Sequence, residues 1–146
     1  MILYTVGFAG KSAEGFFDLL RKHGVGRVID IRANPRGQLS GFAKQRDLPY
    51  FLAGLADSCE YVHVPELAPS REILSDYRAD ADWPRYVVRF QALMGERSVP
   101  EVLDRELFES RKVCLLCSEA SPQRCHRRLV AEMLVARWLD VAVIHL

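Results

Sequence analysis

The sequence has no stretch approaching the roughly 20 apolar residues a bilayer-spanning helix needs. The first residues, Met1-Ile2-Leu3-Tyr4-Thr5-Val6-Gly7, read as a strand and not as a leader, with no basic start, long apolar run or small-residue cleavage site. Together these predict a cytoplasmic protein with no membrane partner. Charge of one sign is missing too. Twenty Lys and Arg stand against 19 Asp and Glu, a formal net charge of +1. No global field therefore draws the chain to nucleic acid or anionic lipid, and any basic surface has to be local. Cysteines number only four. In a reducing compartment thiol chemistry, metal ligation or plain burial explains them better than disulfides. No internal repeat, low-complexity tract or linker is present, and no motif requires a cofactor.

What remains is an ordinary globular composition, 49% hydrophobic and 27% charged over 146 residues. A chain of that length forms one domain, here residues 1–146, and buries roughly 68–70% of its unfolded surface. Ile2 to Val6 is a short apolar run bounded by Gly7 and Gly10, a buried strand. Ser12 caps a helix bearing Phe16, Phe17, Leu19 and Leu20, which stops at His23-Gly24. Val25 to Ile31 is a second strand, parallel to the first through a right-handed crossover. Ala33 to Gly41 reads as loop. Lys44 to Leu55 reads as helix with a break or fresh start at Pro49, and Glu60 to Val64 as a third strand. Residues 66–82 are expected to be irregular or briefly helical. Trp83-Pro84 opens a longer helix, and a further helix is expected around Pro100 to Glu109. Lys112 to Cys117 is the most strand-like run, followed by a polar loop over 118–124 and an amphipathic helix from Cys125 to Leu139. Val141 to His145 closes as a strand. The alternation predicts an α/β, three-layer domain whose mainly parallel sheet of about five strands is flanked by helices. In such sheets ligands sit beyond the carboxyl ends of the strands, so polar residues following strands share a cleft.

Two motifs attract attention and fail. Gly7-Phe8-Ala9-Gly10-Lys11-Ser12 lies between a strand and a helix, but a phosphate-wrapping loop needs a glycine where Thr5 stands. A weaker reading survives: exposed amides at the helix start, with Lys11 nearby, attract an anion. Cys114-Leu115-Leu116-Cys117 has CxxC spacing, yet on a strand residues three apart face opposite ways. Cys114 is then a core residue, and Cys117, at the strand end, stays of interest.

The remaining constellation gathers at the predicted carboxyl edge. Cys125 begins a helix, where free N–H groups and the positive dipole end favour a thiolate. It suits a nucleophile, a redox thiol, a metal ligand or a half-buried cap. His126 supplies a base or a ligand, and Glu119 a general base or an anchor for an arginine. Asp30 and Arg32 project the same way from the second strand's end. They form either a plain ion pair or an arginine fixed to grip a carboxylate or phosphate, with Arg36 and Arg127 as further grips. Cys117, Cys125, His126, His63 and His145 offer soft and imidazole donors for zinc or iron. No pair of them has a standard short ligand spacing, so that reading depends on the fold. Tyr4 and Tyr61 read as packing residues.

Thr5-Val6-Gly7, Asp30-Ile31-Arg32-Ala33-Asn34-Pro35, Tyr61-Val62-His63 and Cys117-Ser118-Glu119-Ala120-Ser121-Pro122 running to Cys125-His126-Arg127 together resemble DUF488, a bacterial and archaeal family. The C-x-E…C-H-R element is the most specific of these. Family members often carry a serine after D-x-R-x-x-P, where this chain has Gly37. The resemblance implies an α/β fold with one shared site and supplies no reaction. The leading expectation is an enzyme-like domain holding an anionic small molecule or nucleotide, with Cys125 and Glu119 or His126 carrying the chemistry. The alternatives are a nucleic-acid-binding or repair-associated module, whose phosphate contacts would be Arg32, Arg36, Lys44 and Arg46, and a zinc- or iron-binding protein. A shared site requires Asp30, Arg32, Glu119 and Cys125 to converge within about one hydrogen-bonding shell, roughly 3–4 Å between neighbours.

Overall fold

The computed structural model describes the backbone of residues 1–146 and the side chains outside residues 38–40. Five strands form one sheet: β1 (Ile2–Gly7), β2 (Arg27–Asp30), β3 (Glu60–His63), β4 (Val113–Cys117) and β5 (Ala142–His145). Their order is β3-β2-β4-β1-β5, and every pairing is parallel. Helices α1 (Ala13–Lys22), α2 (Leu48–Leu55), α3 (Arg71–Asp80), α4 (Trp83–Glu96), α5 (Glu106–Glu109) and α6 (His126–Trp138) connect them.

The pleat sorts the apolar residues into two cores. Val113 and Leu115 of β4, Leu3 of β1 and Ile29 of β2 join Tyr86, Phe90, Phe108, Leu129 and Leu134 on one face. Cys114, Leu116, Tyr4, Val6 and Val28 point the other way and pack on Phe16, Phe17 and Leu20 of α1 and Leu48 and Leu52 of α2. The period-two alternation thus separates Cys114 from Cys117 as expected. A sheet buried on both faces wants continuous apolar strands, and Val113-Cys114-Leu115-Leu116-Cys117 is buried throughout.

The crossovers fix where the sheet opens. From β1 through β2 to β3 the chain moves one way along the sheet, so right-handed connections put α1 and α2 on the same face. From β3 to β4 to β5 it moves back, which puts α4 and α6 on the opposite face. β4 therefore sits between two neighbours whose connections leave toward the other face. Its carboxyl end is a topological switch point on both sides.

Local signals account for most helix ends. Ser12 caps α1, accepting from the Gly15 N–H at 3.0 Å, and Gly24 leaves it at a φ of 64° that a side chain would resist. Pro49 lies in the first turn of α2, which starts afresh at Leu48 rather than at Lys44. β2 is shorter than predicted because Val25 completes the turn after α1, its N–H bonding the Leu20 carbonyl. Residues 71–80, expected to be irregular or briefly helical, form a ten-residue helix capped by Ser70. Only Ile73 of that helix is fully buried, so its apolar stripe is too thin to read. Between Pro100 and Glu109 only the last four residues are α-helical.

Leu115, fully buried in the central strand, should lose about 2–5 kcal/mol of stability on replacement by Ala. Val88→Ala on the exposed face of α4 should stay within about 0.5 kcal/mol. Urea unfolding of the two variants measures the contrast.

Candidate functional site

β2 ends on Asp30, a fully buried carboxylate that accepts four hydrogen bonds. Oδ1 takes the Arg32 backbone N–H at 3.1 Å and Arg32 Nε at 2.9 Å. Oδ2 takes Arg32 Nη2 at 2.7 Å and the Tyr61 hydroxyl at 2.6 Å. This is the fork-on-carboxylate geometry that suits arginine and not lysine. Arg32 Nη2 also donates to the Ala43 carbonyl, and the guanidinium lies 5.3 Å over the Phe8 ring. Its Nη1 is buried with no hydrogen-bond partner among the described residues. Tyr61, expected only to pack, is thus a polar partner from β3. Burial, then its bond to Asp30, raises its pKa and keeps the phenol protonated. Beside it, His63 holds the Arg32 carbonyl through Nε2 at 2.9 Å.

Cys117 closes β4, Cys125 is the N-cap of α6 and His126 is that helix's first residue. The loop between them folds back over Gly7 at the end of β1. A Cβ there would overlap the Glu119 carbonyl oxygen and Arg127 Nη1, so this close approach needs glycine. Arg127 is wholly buried beneath the loop, its Nη1 and Nη2 donating to the carbonyls of Glu119 and Ala120. With the loop anchored, the sulfurs of Cys117 and Cys125 and a ring nitrogen of His126 lie within 4.8 Å of one another. His126 Nε2 is 2.8 Å from the Ile31 carbonyl, which only an N–H can satisfy. In the neutral ring the lone pair is thereby left on Nδ1, 3.6 Å from Cys117 Sγ, and in the protonated ring Nδ1 donates to that sulfur.

These contacts divide the charge unequally. Helix-start reasoning singles out Cys125, whereas the structure lowers the pKa of Cys117. The hydrogen bond from Cys125 comes first, and the charge and hydrogen bond of His126 and the Glu119 N–H add to it against the cost of burial. The Cys125 thiol is raised by the hydrogen bond it gives, by burial and by the Cys117 charge. Burial disfavours the His126 cation, but Cys117 and the Ile31 carbonyl more than offset this, and its pKa is raised.

A cavity of about 830 Å³ opens above these groups at the end of β4. Arg32, Cys117, Glu119, Cys125 and His126 all line it, while Asp30 stands behind Arg32 and fixes it. Four arginines face the space, Arg32, Arg71, Arg78 and Arg124, against the single acid Glu119. Arg71, Leu74, Ser75 and Arg78 lie on one stripe of α3 at helical spacing. Other sequence candidates lie elsewhere. Arg36 is exposed and donates to Gln45, and Arg127 is committed to the loop beneath. Lys11 bonds the Gly7 carbonyl at 2.7 Å, its pKa lowered by burial and by the Arg127 charge. His63 is outside the donor cluster, and His145, on the edge strand β5, pairs with Thr5 at 2.6 Å. Arg71 and Arg78 were legible only as an i, i+7 pair in a helix that the sequence conceals.

The family model described as "Domain of unknown function DUF488" matches residues 12–134, which include the β2 end, the cavity wall of α3 and the cysteine segment. The chain belongs to the DUF488 family. No curated protein and no solved structure matches it.

Asp30→Ala leaves the Arg32 guanidinium buried without its carboxylate and should cost about 3–5 kcal/mol in urea unfolding. Tyr61→Phe removes one hydrogen bond from the same carboxylate and should cost about 1–2 kcal/mol. Gly7→Ala should cost about 1–3 kcal/mol, because backbone and a buried guanidinium have to move. Equal losses for the Asp30 and Tyr61 variants would contradict this ranking.

Proposed function

We propose that the protein binds a small anionic molecule of the nucleotide class in the cavity at the carboxyl end of β4. The observation that carries this reading is the arginine excess on the cavity wall: four guanidinium groups against one carboxylate. Arg32 is the best prepared of the four. Asp30 and Ala43 hold its fork in place, and Nη1 has no hydrogen-bond partner among the described residues. A cavity of this volume suits a nucleotide-sized ligand. Half-buried Tyr77 adds an aromatic ring to the same lining against which a base can stack, whereas Tyr86 is already stacked on Trp83. Cys117, Cys125, His126 and Glu119 are the groups in reach for chemistry on the bound molecule. The nucleic-acid reading fares worse, since of its four residues Arg32 lines the cavity and the other three, Arg36, Lys44 and Arg46, do not.

Calorimetry and thermal shift with inorganic phosphate and with nucleoside mono- and triphosphates test the proposal. A phosphorylated ligand should raise the melting temperature of the full chain, and its affinity should fall with salt. Arg71→Glu and Arg78→Glu, both on exposed positions, should weaken that ligand at least about tenfold, a loss of about 1.4 kcal/mol. Their effect on ligand-free stability should stay within about 0.5 kcal/mol. If no phosphorylated compound stabilises the protein, the reading is wrong.

A further inference from the structure

The floor of the cavity has the makings of a metal centre, and three independent observations bear on it. First, the donors are two sulfurs and one imidazole nitrogen, all buried and mutually within 4.8 Å. Second, the Ile31 carbonyl fixes His126 through Nε2 at 2.8 Å, leaving Nδ1 as the free donor facing Cys117. A ligating histidine is ordinarily oriented by such a bond from its other ring nitrogen. Third, the Cys117–His126 edge has the length a tetrahedral ion needs. Zn–S of about 2.3 Å and Zn–N of about 2.0–2.1 Å at a tetrahedral angle place sulfur and nitrogen about 3.6 Å apart. The Cys117 Sγ to His126 Nδ1 distance is 3.6 Å.

We infer that Cys117, Cys125 and His126 bind one zinc ion, with its fourth coordination position open to the cavity. The two thiolates and the imidazole suit zinc and disfavour magnesium and calcium, which take oxygen ligands. Binding requires both cysteines as thiolates and the imidazole neutral, so it releases protons, and the two positive charges of Zn²⁺ balance the two sulfurs. All three ligands line the cavity, so three protein ligands and an accessible fourth position give the catalytic pattern of zinc sites, not the closed structural one. Glu119 is the acid that lines the same cavity. The role of the open position toward the bound anion rests on the proposed function; the zinc site does not.

The test uses the full chain, reduced and purified without chelators, and then stripped and titrated with Zn²⁺ or Co²⁺ in the absence of phosphate and nucleotide. Elemental analysis should find one zinc per chain. Co²⁺ should give a thiolate charge-transfer band with the intense visible bands of tetrahedral coordination, and Zn²⁺ should abolish both. Loss of an outer-shell partner already weakens metal binding about 10–100-fold, so Cys125→Ser and His126→Gln should weaken it at least about 100-fold. Cys59→Ala, with its sulfur in the opposite core, should bind as the parent does. Wild-type protein with neither stoichiometric zinc nor a Co²⁺–thiolate band overturns the inference, as do ligand variants with parental affinity. The wild-type spectra decide even if a variant fails to fold. Zinc uptake without anion binding would remove only the cavity reading, and anion binding without zinc only this one.

Discussion

The insertion of β4 between β1 and β2 governs where this molecule can do chemistry. A parallel sheet covered on both faces has little room for an opening except where neighbouring connections part. Here they part on both flanks of one strand, because β1 and β2 feed the α1–α2 face while β4 feeds α6 on the other. The run from Val113 to Cys117 is buried throughout, as a central strand must be, and its last residue emerges at the one place where the layers separate. The polar ends of β2 and β4 are thereby brought side by side, although Asp30 and Cys117 are distant in sequence.

Keeping charge in such a place is expensive, and the site meets the cost with hydrogen bonds. Asp30 has its oxygens filled by Arg32 and Tyr61, and the carbonyls of Ile31 and Arg32 are each taken by a histidine. Without these partners, burying the carboxylate and guanidinium would cost several kcal/mol per ion. The network leaves the wall rigid, with the Arg32 fork already in one orientation and its rotamer entropy spent before any ligand arrives.

Much of this was legible in the sequence, for physical reasons that differ from element to element. The runs of β1, β2 and β3 are closed by Gly7, the Asp30–Arg32 pair and Pro65. The β4 run is wholly apolar and gives way to Ser118-Glu119, so the strands could be read with small errors at their ends. The D-x-R pair and the C-x-E…C-H segment could be assigned to one edge because sheet topology puts strand ends together. Three features could not be read. The α3 stripe is hidden because five of the ten residues in Arg71–Asp80 are charged and only Ile73 is fully buried. Arg127 looks like a ligand for an anion, but the helix turns it inward. The lowering of the Cys117 pKa comes first from the hydrogen bond that Cys125 gives and then from His126, whose ring the Ile31 carbonyl holds across 95 residues.

Arg127 has a further consequence. It is fully buried, and among the described residues no carboxylate lies within ion-pairing distance; only peptide carbonyls receive its protons. An unneutralised guanidinium acts as a standing electrode beneath the sheet's carboxyl edge, and a buried one is only weakly screened by salt. Its charge adds to burial in lowering the proton affinity of Lys11 and His145, and it works against the net rise at Cys114, Cys125 and His126. The electron-rich surroundings of the crevice therefore have a bias built in from below. That potential belongs to the apoprotein and does not wait for anything to bind.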